Sequence, residues 1–442
     1  MAASLAKAIE KGGVVGAGGG GFPSHVKAES EADIFIANGA ECEPLLAADS
    51  ELMRLAPDRV VRGVELMRDA VGASRAVLAI KRKNEELMRS ALPDGGSIEL
   101  SVLENVYPAG DEYLLVFDTT GRVVPEGGIP TDVGVVVNNV TTLAQVADAA
   151  DGRPVTTRMV TVQGAVESPG TFLTPLGTPI RELLALAGWK QDDGGAVIAG
   201  GPMMGCLASD LDQPTTKPVG GLLALPGDHV LVTSRTATEE QVLRVARAAC
   251  CQCMACTELC PRWLLGHDLE PHRTVRAIQY DTIGLDDAHI TSAYLCCECG
   301  MCELFACPLE IRPRRIMASL KAELVRRGVP NPHSRSDIEA SDVREYRQIP
   351  TSRLVARLGL SDYDRAAPLS DRRPEPHSVR LLLRQHVGEP AEPVVEEGSR
   401  VVEGDLVAEI PEGRLGARVH ASITGVVSSV TPDSVIIERR GG

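Results

Sequence analysis

The first third of the chain mixes two hydrophobic periods. Short apolar runs, typical of buried strands, alternate with segments in which apolar residues recur every three or four positions, as on one face of a helix. This alternation predicts a three-layer α/β domain, which we assign to residues 1–155. The predicted strands are 33–37, 76–80, 98–103 and 133–146, and the predicted helices are 52–71 and 85–92.

Residues 156–230 predict a smaller domain with strands and one helix. The segment opens with a strand, turns at 168–170, continues as a second strand and enters a helix near Pro179. Proline suits this position because the first turn of a helix leaves its N–H groups unpaired in any case.

The rest of the chain divides into three segments. Residues 231–330 hold helical patterns on either side of a cysteine-rich stretch, and the last of these helices is expected to end at Gly328. Residues 331–377 are rich in Pro, Arg, Ser and Asp and predict a linker with short helical pieces laid over other domains. Residues 378–442 carry short apolar runs separated by glycines and predict an all-β domain.

Composition narrows the classes of function. A chain of 442 residues is long enough for several domains. Its net charge of −15 argues against nucleic acid as a partner, because the phosphate backbone repels an acidic surface. No apolar run approaches the roughly 18–20 residues of a membrane helix. Residues 1–13 lack the apolar core of a secretory signal and predict a short amphipathic helix instead.

Eight of the 12 cysteines form two blocks with nearly the same spacing. The first block reads Cys-x2-Cys-x2-Cys-x3-Cys-Pro and the second reads Cys-x2-Cys-x2-Cys-x4-Cys-Pro. This spacing lets a tight loop give three thiolates to a [4Fe–4S] cluster, and in two-cluster ferredoxins the fourth cysteine of each block binds the other cluster. We therefore assign Cys250, Cys253, Cys256 and Cys307 to one cluster, and Cys296, Cys299, Cys302 and Cys260 to the other.

Zinc and disulfides are the alternative interpretations of these cysteines. A structural zinc site needs four ligands, usually in two pairs, and has no use for a third evenly spaced cysteine. Disulfides form in oxidising compartments, whereas clusters suit a reducing cytoplasm. Cys251 and Cys297 are out of register and are interpreted as buried thiols or thiols beside the clusters, with one of them as a substitute ligand as the alternative. His267 and His272, between the blocks, are expected at the surface or at helix ends, with tuning of a cluster as the alternative.

A glycine-rich loop at 13–27 follows the N-terminal helix and leads towards the first strand. Gly16, Gly18 and Gly21 fit G-x-G-x-x-G, but the Rossmann fingerprint follows a strand and opens a helix, so the ordinary nicotinamide interpretation fails on context. Bare backbone of this kind can approach a phosphate or a flat ring closely, and the alternative is a mobile turn. Just beyond the first strand, where ligands bind in open α/β sheets, lie Asn38, Glu41 and Glu43.

Four segments in this order, GAGGGGFPSHVK, NGAECEP, YPAGDE and NNVTT, resemble the flavin-binding domain of the complex I NADH-oxidising subunit. They are more similar still to its relatives, RnfC and the PduS-type cobalamin reductases. The resemblance implies a Rossmann-like domain that holds FMN, with NADH docking above it. It implies as cofactor-binding residues Gly16, Gly18, Gly19, Gly21, Phe22, Lys27, Asn38, Gly110, Asp111, Glu112, Asn138 and Asn139, and as catalytic residues Glu41 and Glu43.

Within this resemblance, Lys27 is expected to offer positive charge to a phosphate, and Asn138 and Asn139 to hydrogen-bond the polar edge of the flavin ring. The chain departs from the complex I protein in two places. Ala40 stands where that protein has an aspartate, and no aromatic residue follows Lys27 closely to stack on a nicotinamide or adenine. The resemblance therefore supports FMN more directly than NADH.

The remaining domains fit the same family. Residues 156–230, with the motif GGPMMG at 200–205, resemble its soluble-ligand-binding β-grasp (SLBB) domain, as either a ligand site or a spacer. Residues 231–330 then form an α-helical, ferredoxin-like domain for two [4Fe–4S] clusters. Residues 378–442 resemble the barrel-sandwich hybrid of lipoyl carriers, but no lysine follows Lys321, so no swinging-arm cofactor can be attached. This domain comes last, as in PduS-type proteins and unlike RnfC.

These resemblances imply an enzyme that moves electrons from NADH through FMN and two [4Fe–4S] clusters to cobalamin. They also imply a cytoplasmic location in or at a bacterial microcompartment, with a corrinoid adenosyltransferase and a shell protein as partners. The alternatives are an RnfC-like electron-input subunit of a membrane complex, another NADH:acceptor reductase, or a non-catalytic electron relay or scaffold.

Overall fold

The computed structural model describes residues 2–93, 95–190, 194–279 and 284–439. The outermost residues of the first and last predicted domains, 1 and 440–442, lie outside these ranges. Among the described helices, none is long and apolar enough to cross a bilayer.

The first domain is built around a parallel sheet in the order β3-β2-β1-β5, which brings four carboxyl ends to one edge. Its strands are β1 (Ile34–Gly39), β2 (Arg75–Lys81), β3 (Glu99–Leu103), a short β4 (Val106–Tyr107) and β5 (Val135–Asn139). Its helices are α1 (Ala2–Lys11), α2 (Ser24–Ala28), α3 (Ala48–Leu55), α4 (Pro57–Ala70), α5 (Glu85–Ala91), α6 (Glu112–Thr120) and α7 (Val140–Ala150).

Helices cover both faces of this sheet. On one face, α1, α4 and α7 share an apolar core with inward side chains such as Phe35 and Leu78. On the other face, Leu115 and Val116 of α6 pack against Ile36. The predicted three-layer α/β arrangement is therefore confirmed.

Two predicted elements of this domain are divided differently in the structure. The predicted strand 133–146 is a strand only as far as Asn139, after which the chain forms α7. Apolar residues in the second half recur at helical spacing and are buried, and the Asn139 side chain accepts the Thr141 N–H as an N-cap. The predicted helix 52–71 is two helices, because Pro57 lacks an N–H and restricts the residue before it.

The second domain is a mixed five-stranded sheet with one helix across it. Two neighbouring strands, β6 (Thr157–Gly164) and β10 (Gly221–Leu225), run parallel, and the other neighbouring pairs are antiparallel. The strand order is β7-β6-β10-β8-β9. Leu183 and Phe172 belong to the core between helix and sheet. The elements are β6 (Thr157–Gly164), β7 (Gly170–Pro175), α8 (Ile180–Leu186), β8 (Ala196–Ala199), β9 (Cys206–Leu207) and β10 (Gly221–Leu225).

Short helices surround the two cysteine blocks in the third domain. The helix before the first block begins with a capping box between Thr238 and Gln241. The helices are α9 (Val230–Thr236), α10 (Glu239–Ala249), α11 (Ala255–Glu258), α12 (Pro261–Leu264), α13 (Pro271–Ala277), α14 (Ala288–Thr291) and α15 (Pro313–Arg326), with a π-helical turn at Met301–Ala306.

The C-terminal part lies over the other domains and then forms two small antiparallel sheets. In the predicted linker, α16 (Thr351–Arg357) follows β11 (Ile349–Pro350), which pairs with β4 of the first domain. The sheet orders are β12-β18-β17-β14 and β13-β15-β16. The strands are β12 (Ser378–Leu382), β13 (Glu392–Pro393), β14 (Arg400–Val401), β15 (Leu406–Glu409), β16 (Val419–His420), β17 (Gly425–Val430) and β18 (Ser434–Glu438).

This barrel-sandwich is fixed to the body of the protein. Its apolar residues belong to the same core as those of α1 and α4. The buried Lys217 of the second domain donates to the carbonyl oxygens of Gly13 at 2.6 Å and Arg418 at 2.7 Å, so it links three domains at one point. The domain has the fold of a carrier without the mobility that a carrier needs.

Candidate functional site

A cleft of about 460 Å³ opens at the carboxyl ends of the parallel sheet, between the first and second domains. Its volume lies within the range of small-molecule and cofactor sites. The glycine loop and the segments that follow β1 and β5 form one wall, and the loop 200–205 with residues 218–220 forms the other. Seven predicted site residues line it: Gly18, Gly19, Asn38, Glu41, Glu43, Gly110 and Asn139.

The glycine loop presents bare backbone to this cleft. Gly16 donates its N–H to the Phe22 carbonyl at 2.8 Å, and Gly21 donates to the Gly16 carbonyl at 3.0 Å, which closes the loop. Between these bonds, the N–H groups of residues 18–20 donate to no partner among the described residues. A Cβ added at Gly19, where φ is +105°, would meet no atom within 4 Å. Open space and free N–H groups fit the phosphate or ring of FMN.

Two asparagines at strand ends shape the floor of the cleft. The Asn38 amide donates to the Gly110 carbonyl at 2.9 Å, which holds the segment after β4 beside the end of β1. Asn139 caps α7 and donates to Asp49 at 2.7 Å. The neighbouring Asn138 is buried outside the lining, so the structure places only one of the two predicted ring contacts in the cleft.

Glu41 is a buried carboxylate at one end of the cleft, with a side chain only 5% exposed. It accepts from the Asp49 N–H at 2.7 Å and from the Ser50 hydroxyl, so it anchors the start of α3. The Lys83 ammonium donates to Oε2 of this carboxylate at 3.2 Å, the oxygen that also accepts the Ser50 hydroxyl. Burial raises the pKa of the Glu41 carboxyl, and Lys83 acts in the opposite direction.

Glu43 ties the first domain to the second. Its carboxylate accepts the N–H groups of Met203 at 2.9 Å and Met204 at 2.8 Å, both in the loop 200–205. Burial raises the pKa of the Glu43 carboxyl, while these two amides lower it. The predicted catalytic roles of Glu41 and Glu43 stay predictions, but both side chains also build the cleft.

Three predicted cofactor residues are engaged elsewhere and do not line the cleft. The Lys27 ammonium donates to Glu112 at 2.9 Å and to the Val137 carbonyl at 2.8 Å. Asp111 accepts two hydrogen bonds from Arg262, at 2.6 and 3.0 Å. The predicted contact of Lys27 with a phosphate stays a prediction, but a carboxylate and a carbonyl outside the cleft lining already hold its charge. The remaining predicted residues, Gly16, Gly21, Phe22 and Asn138, also lie outside the lining.

The eight predicted cluster cysteines line two separate cavities. Each cavity takes three cysteines from one block and the fourth from the other, as the crossed assignment requires. We call them the outer set and the inner set. The outer set is Cys250, Cys253, Cys256 and Cys307, and the inner set is Cys260, Cys296, Cys299 and Cys302.

The lining of each cavity suits a cubane, because it offers four cysteines, one for each iron. A single zinc ion needs its four ligands to converge within about 2.3 Å of one point. In the described part of the chain, no group of three or more His, Cys, Asp or Glu side chains converges in this way. Cysteines around a [4Fe–4S] cluster each bind a different iron, so they surround a space instead of a point.

The two blocks repeat the same backbone path. Gln252 and Glu298, each two residues after the first cysteine, have φ of +57°, and Met254 and Gly300 are also left-handed at +66° and +79°. These residues turn the loop so that three thiols face inward. The extra residue of the second block is absorbed by a π-helical turn, where the first block has the ordinary helical turn α11.

The inner set adjoins the cleft. The buried Tyr107 donates its hydroxyl to the Cys299 carbonyl at 2.7 Å and shares an apolar core with Met203, against which Cys42 of the cleft packs. A Cβ added at Gly300 would lie 3.2 Å from the Met203 carbonyl oxygen. The loop 200–205 therefore borders the cleft on one side and the inner cysteine block on the other.

The two histidines are more buried than expected, whereas Cys251 and Cys297 lie beside the predicted cluster ligands, as expected. His267 and His272 are both buried, each with a ring nitrogen bonded to a protein group, and His272 lines the outer cavity. Cys251 is exposed and lines the outer cavity, and the partly buried Cys297 lines the inner cavity. The expected surface position is wrong for both rings, but His272 lies at the start of α13, the helix-end position that was also expected. His267 is covered by the first domain, where its ring contacts the Val124 carbonyl, and His272 packs against Thr257 of its own domain.

Sequence reasoning also missed how far the second domain completes the cleft. Arg158 on β6 lines the cleft, as does the loop 200–205, which the sequence identifies only as a family motif. One signal was present: a single arginine in a strand whose other residues are apolar or uncharged.

Four family models match the chain in the order of its domains. They are the Nuo51 FMN-binding domain over residues 9–148, the SLBB domain over 159–207, a 4Fe-4S dicluster domain over 249–312 and the RnfC barrel sandwich hybrid domain over 365–440. Fold and site thus define a flavin and iron–sulfur protein with a Nuo51-like flavin domain. The predicted fold class is confirmed.

Comparison with curated proteins narrows this class. Cobalamin reductase PduS of Citrobacter freundii is 45% identical over 442 residues, covering 99% of this chain and 97% of that protein. Cobalamin reductase PduS of Salmonella typhimurium is 46% identical over 440 residues, covering 98% and 95%. The chain belongs to the PduS cobalamin reductase family, as its motifs predicted.

The chain is also similar, over a shorter length, to a more distant relative. It is a component of the proton-translocating ferredoxin:NAD(+) oxidoreductase complex of Clostridium ljungdahlii. The two proteins are 36% identical over 265 residues, which is 58% of this chain and 55% of that protein. The full-length match to PduS sets this chain apart from the RnfC branch.

Proposed function

We propose that this protein is an oxidoreductase that takes electrons from NADH and reduces cobalamin, with FMN in the cleft and a [4Fe–4S] cluster in each cysteine set. When bound, FMN supplies the conversion of a two-electron hydride donor into single electrons, which the clusters carry. The observation that carries the proposal is the position of the loop 200–205, which borders both the cleft and the inner cysteine block.

Some residues of the site would hold the flavin, and others lie between the cleft and the inner set. The N–H groups of residues 18–20 and the side chains of Asn38 and Asn139 face or shape the flavin site. Glu41 and Glu43 keep the cleft in shape, and both carboxylates would lie in the lining around a bound flavin. Tyr107 and Met203 belong to the apolar core between the cleft and the inner set, so packed side chains connect the two.

The outer set lies on the side from which a large acceptor can approach. Cys253 is exposed, and the neighbouring side chains of Met254 and Leu309 are 39% and 40% exposed. The inner cysteines Cys299 and Cys302, in contrast, are each 8% exposed. A corrin, which is too large to share the cleft with a flavin, is therefore expected to receive electrons at the outer set.

The family supports further parts of the proposal. A cobalamin reductase feeds a corrinoid adenosyltransferase, which becomes the expected partner. A cytoplasmic site in or at a bacterial microcompartment, with contact to a shell protein, completes the proposal and is tested by co-purification with shell components.

The decisive experiment follows both steps in anaerobic stopped-flow. Protein with bound FMN and about eight irons per chain should bleach at the flavin bands on mixing with NADH, and the corrinoid bands should then change. Gly19→Val should abolish FMN binding, because the branched side chain would enter the open cleft. If wild-type protein binds FMN but NADH does not bleach the flavin, the proposed NADH-dependent activity is wrong. The remaining interpretation is then a non-catalytic electron relay or scaffold.

A further inference from the structure

Arg158 reaches from the second domain into the cleft of the first. It lies on β6 and is only 3% exposed. One guanidinium nitrogen, Nη2, donates to the Ala17 carbonyl at 2.7 Å, at the start of the glycine loop. The other two nitrogens, Nε and Nη1, are buried without a hydrogen-bond partner. A buried guanidinium with two unpaired nitrogens is costly, so its position needs a compensating group.

No acidic side chain in the described part of the chain provides that compensation within ion-pair distance of Arg158. The carboxylates that act on the charge of Arg158 are those of Asp49 and Glu41. Asp49 is already bonded to Asn139 and Thr141, at 2.7 Å each. Glu41 is occupied by α3 and Lys83. The free nitrogens of Arg158 are thus left for a ligand that accepts several hydrogen bonds.

The surroundings of the guanidinium suit an anion. Ala17, its anchor, is followed directly by the unpaired N–H groups of residues 18–20. A Cβ added at Gly18 would lie 3.3 Å from the Asn139 Cβ, so this loop meets the N-terminus of α7, an 11-residue helix. Backbone N–H groups, a helix N-terminus and an arginine fork are the groups that bind phosphate.

We infer that Arg158 binds the phosphate of FMN and makes the site select FMN over riboflavin. This inference rests on the proposed function, since it requires flavin in the cleft. The inference places the phosphate-binding cation on the second domain, whereas the sequence predicted Lys27 of the first domain for this role. The Lys27 charge is already held by Glu112 and the Val137 carbonyl. The second domain then acts as half of the cofactor site, and flavin binding stabilises its docking on the first domain.

The test compares two flavins that differ only in the phosphate. Flavin-depleted full-length protein with its clusters is titrated anaerobically with FMN and with riboflavin, and binding is read from flavin fluorescence. Arg158→Met should weaken FMN binding by about 10- to 100-fold, the effect of losing charge-assisted hydrogen bonds. Riboflavin binding should stay within about twofold. Arg158→Lys should restore part of the FMN preference, since it keeps the charge but loses the fork.

Three further measurements separate the role of Arg158 in phosphate binding from effects on folding. Gly220→Ala, whose Cβ would lie 2.9 Å from Arg158 Nη2, displaces the guanidinium without removing its charge and should also lower the preference for FMN. Lys27→Met should leave the ratio of FMN to riboflavin affinity unchanged. In wild-type protein, inorganic phosphate should compete with FMN but not with riboflavin, a result that needs no variant.

The possible results distinguish a failure of the Arg158 inference from a failure of the proposed function. If Arg158→Met weakens both flavins equally, or if Lys27→Met removes the preference instead, Arg158 only supports the domain contact and the inference is wrong. If wild-type protein binds FMN no better than riboflavin and phosphate does not compete, the inference is also wrong, but FMN-dependent cobalamin reduction is untouched. If wild-type protein binds neither flavin, the proposed function itself fails.

Discussion

The two cysteine sets share a loop geometry but differ in their surroundings. The inner set lies against the first domain, with the buried Tyr107 and the ion pair of Arg262 and Asp111 beside it. The outer set faces the surface through exposed Cys253 and Met254. Because the backbone path of the two blocks is repeated, the spacing alone does not assign their roles. In the proposed electron path, the inner set is the entry point and the outer set is the exit point. The residues that pack against each set distinguish these roles.

Removal of an outer ligand should give the largest effect. Cys253→Ser is expected to lower cobalamin reduction to below about 1% of wild type, while NADH still bleaches the flavin and a small acceptor that reacts directly with flavin is still reduced. Stopped-flow spectra of the flavin and corrinoid bands measure the two steps separately.

The matched control is Cys251→Ser, which changes a second exposed cysteine of the same cavity that lies outside both predicted ligand sets. It should retain nearly all activity. If Cys253→Ser reduces cobalamin at the wild-type rate, the flavin serves the corrin directly and the outer set has another role.

The sequence could predict features that depend on residues close together in the chain, but not those that depend on contacts between distant residues. The cluster cysteines follow from spacing within short loops, and the crossing of the fourth cysteines follows from how two such loops pack. Lys27 and Arg158 show the limit. Which of two cations faces the cleft depends on partners far apart in the sequence, such as Glu112 and Ala17. The stretch 133–146 fits a strand or a helix by pattern, and only packing against α4 decides for a helix after Asn139.

Chelation should separate the two sets by accessibility. We expect a chelator added to oxidised protein to remove iron in two phases, with about four of eight irons lost first. The first phase should be missing in Cys253→Ser, because its outer cluster is already impaired, and the second phase should be unchanged. Iron analysis and EPR during the time course provide the measurement. A single phase in wild-type protein would mean that the inner set is as accessible as the outer set.

The ion pair beside the inner set should contribute strongly to stability. Asp111 and Arg262 form a two-bond contact, with side chains only 14% and 7% exposed. Asp111→Asn keeps a residue that can cap α6 but removes the charge, and leaving Arg262 buried without its partner should cost about 3–5 kcal/mol. Thermal unfolding of the anaerobic protein, followed at the iron–sulfur absorbance, measures the loss.

The adjacent residue is the control for this ion pair. Glu112 pairs with Lys27, but the two side chains are 45% and 28% exposed, so Glu112→Gln should cost at most about 1 kcal/mol. Equal losses for the two variants would show that burial of the ion pair beside the inner set contributes nothing to its strength.

The smallest expected effect concerns the contact between the cleft and the inner set. Tyr107→Phe removes one buried hydroxyl and leaves the Cys299 carbonyl without its 2.7 Å hydrogen bond, at a cost of about 1–3 kcal/mol. Tyr294→Phe is a matched control, because its hydroxyl also donates to a carbonyl, that of Val329 at 2.5 Å, near the same block but away from the cleft. Both variants should unfold at lower temperature, yet only Tyr107→Phe should slow cobalamin reduction, by several-fold, with flavin bleaching unchanged. If both variants slow cobalamin reduction equally, Tyr107 acts only through general stability, and the adjacency of cleft and inner set does not determine the rate.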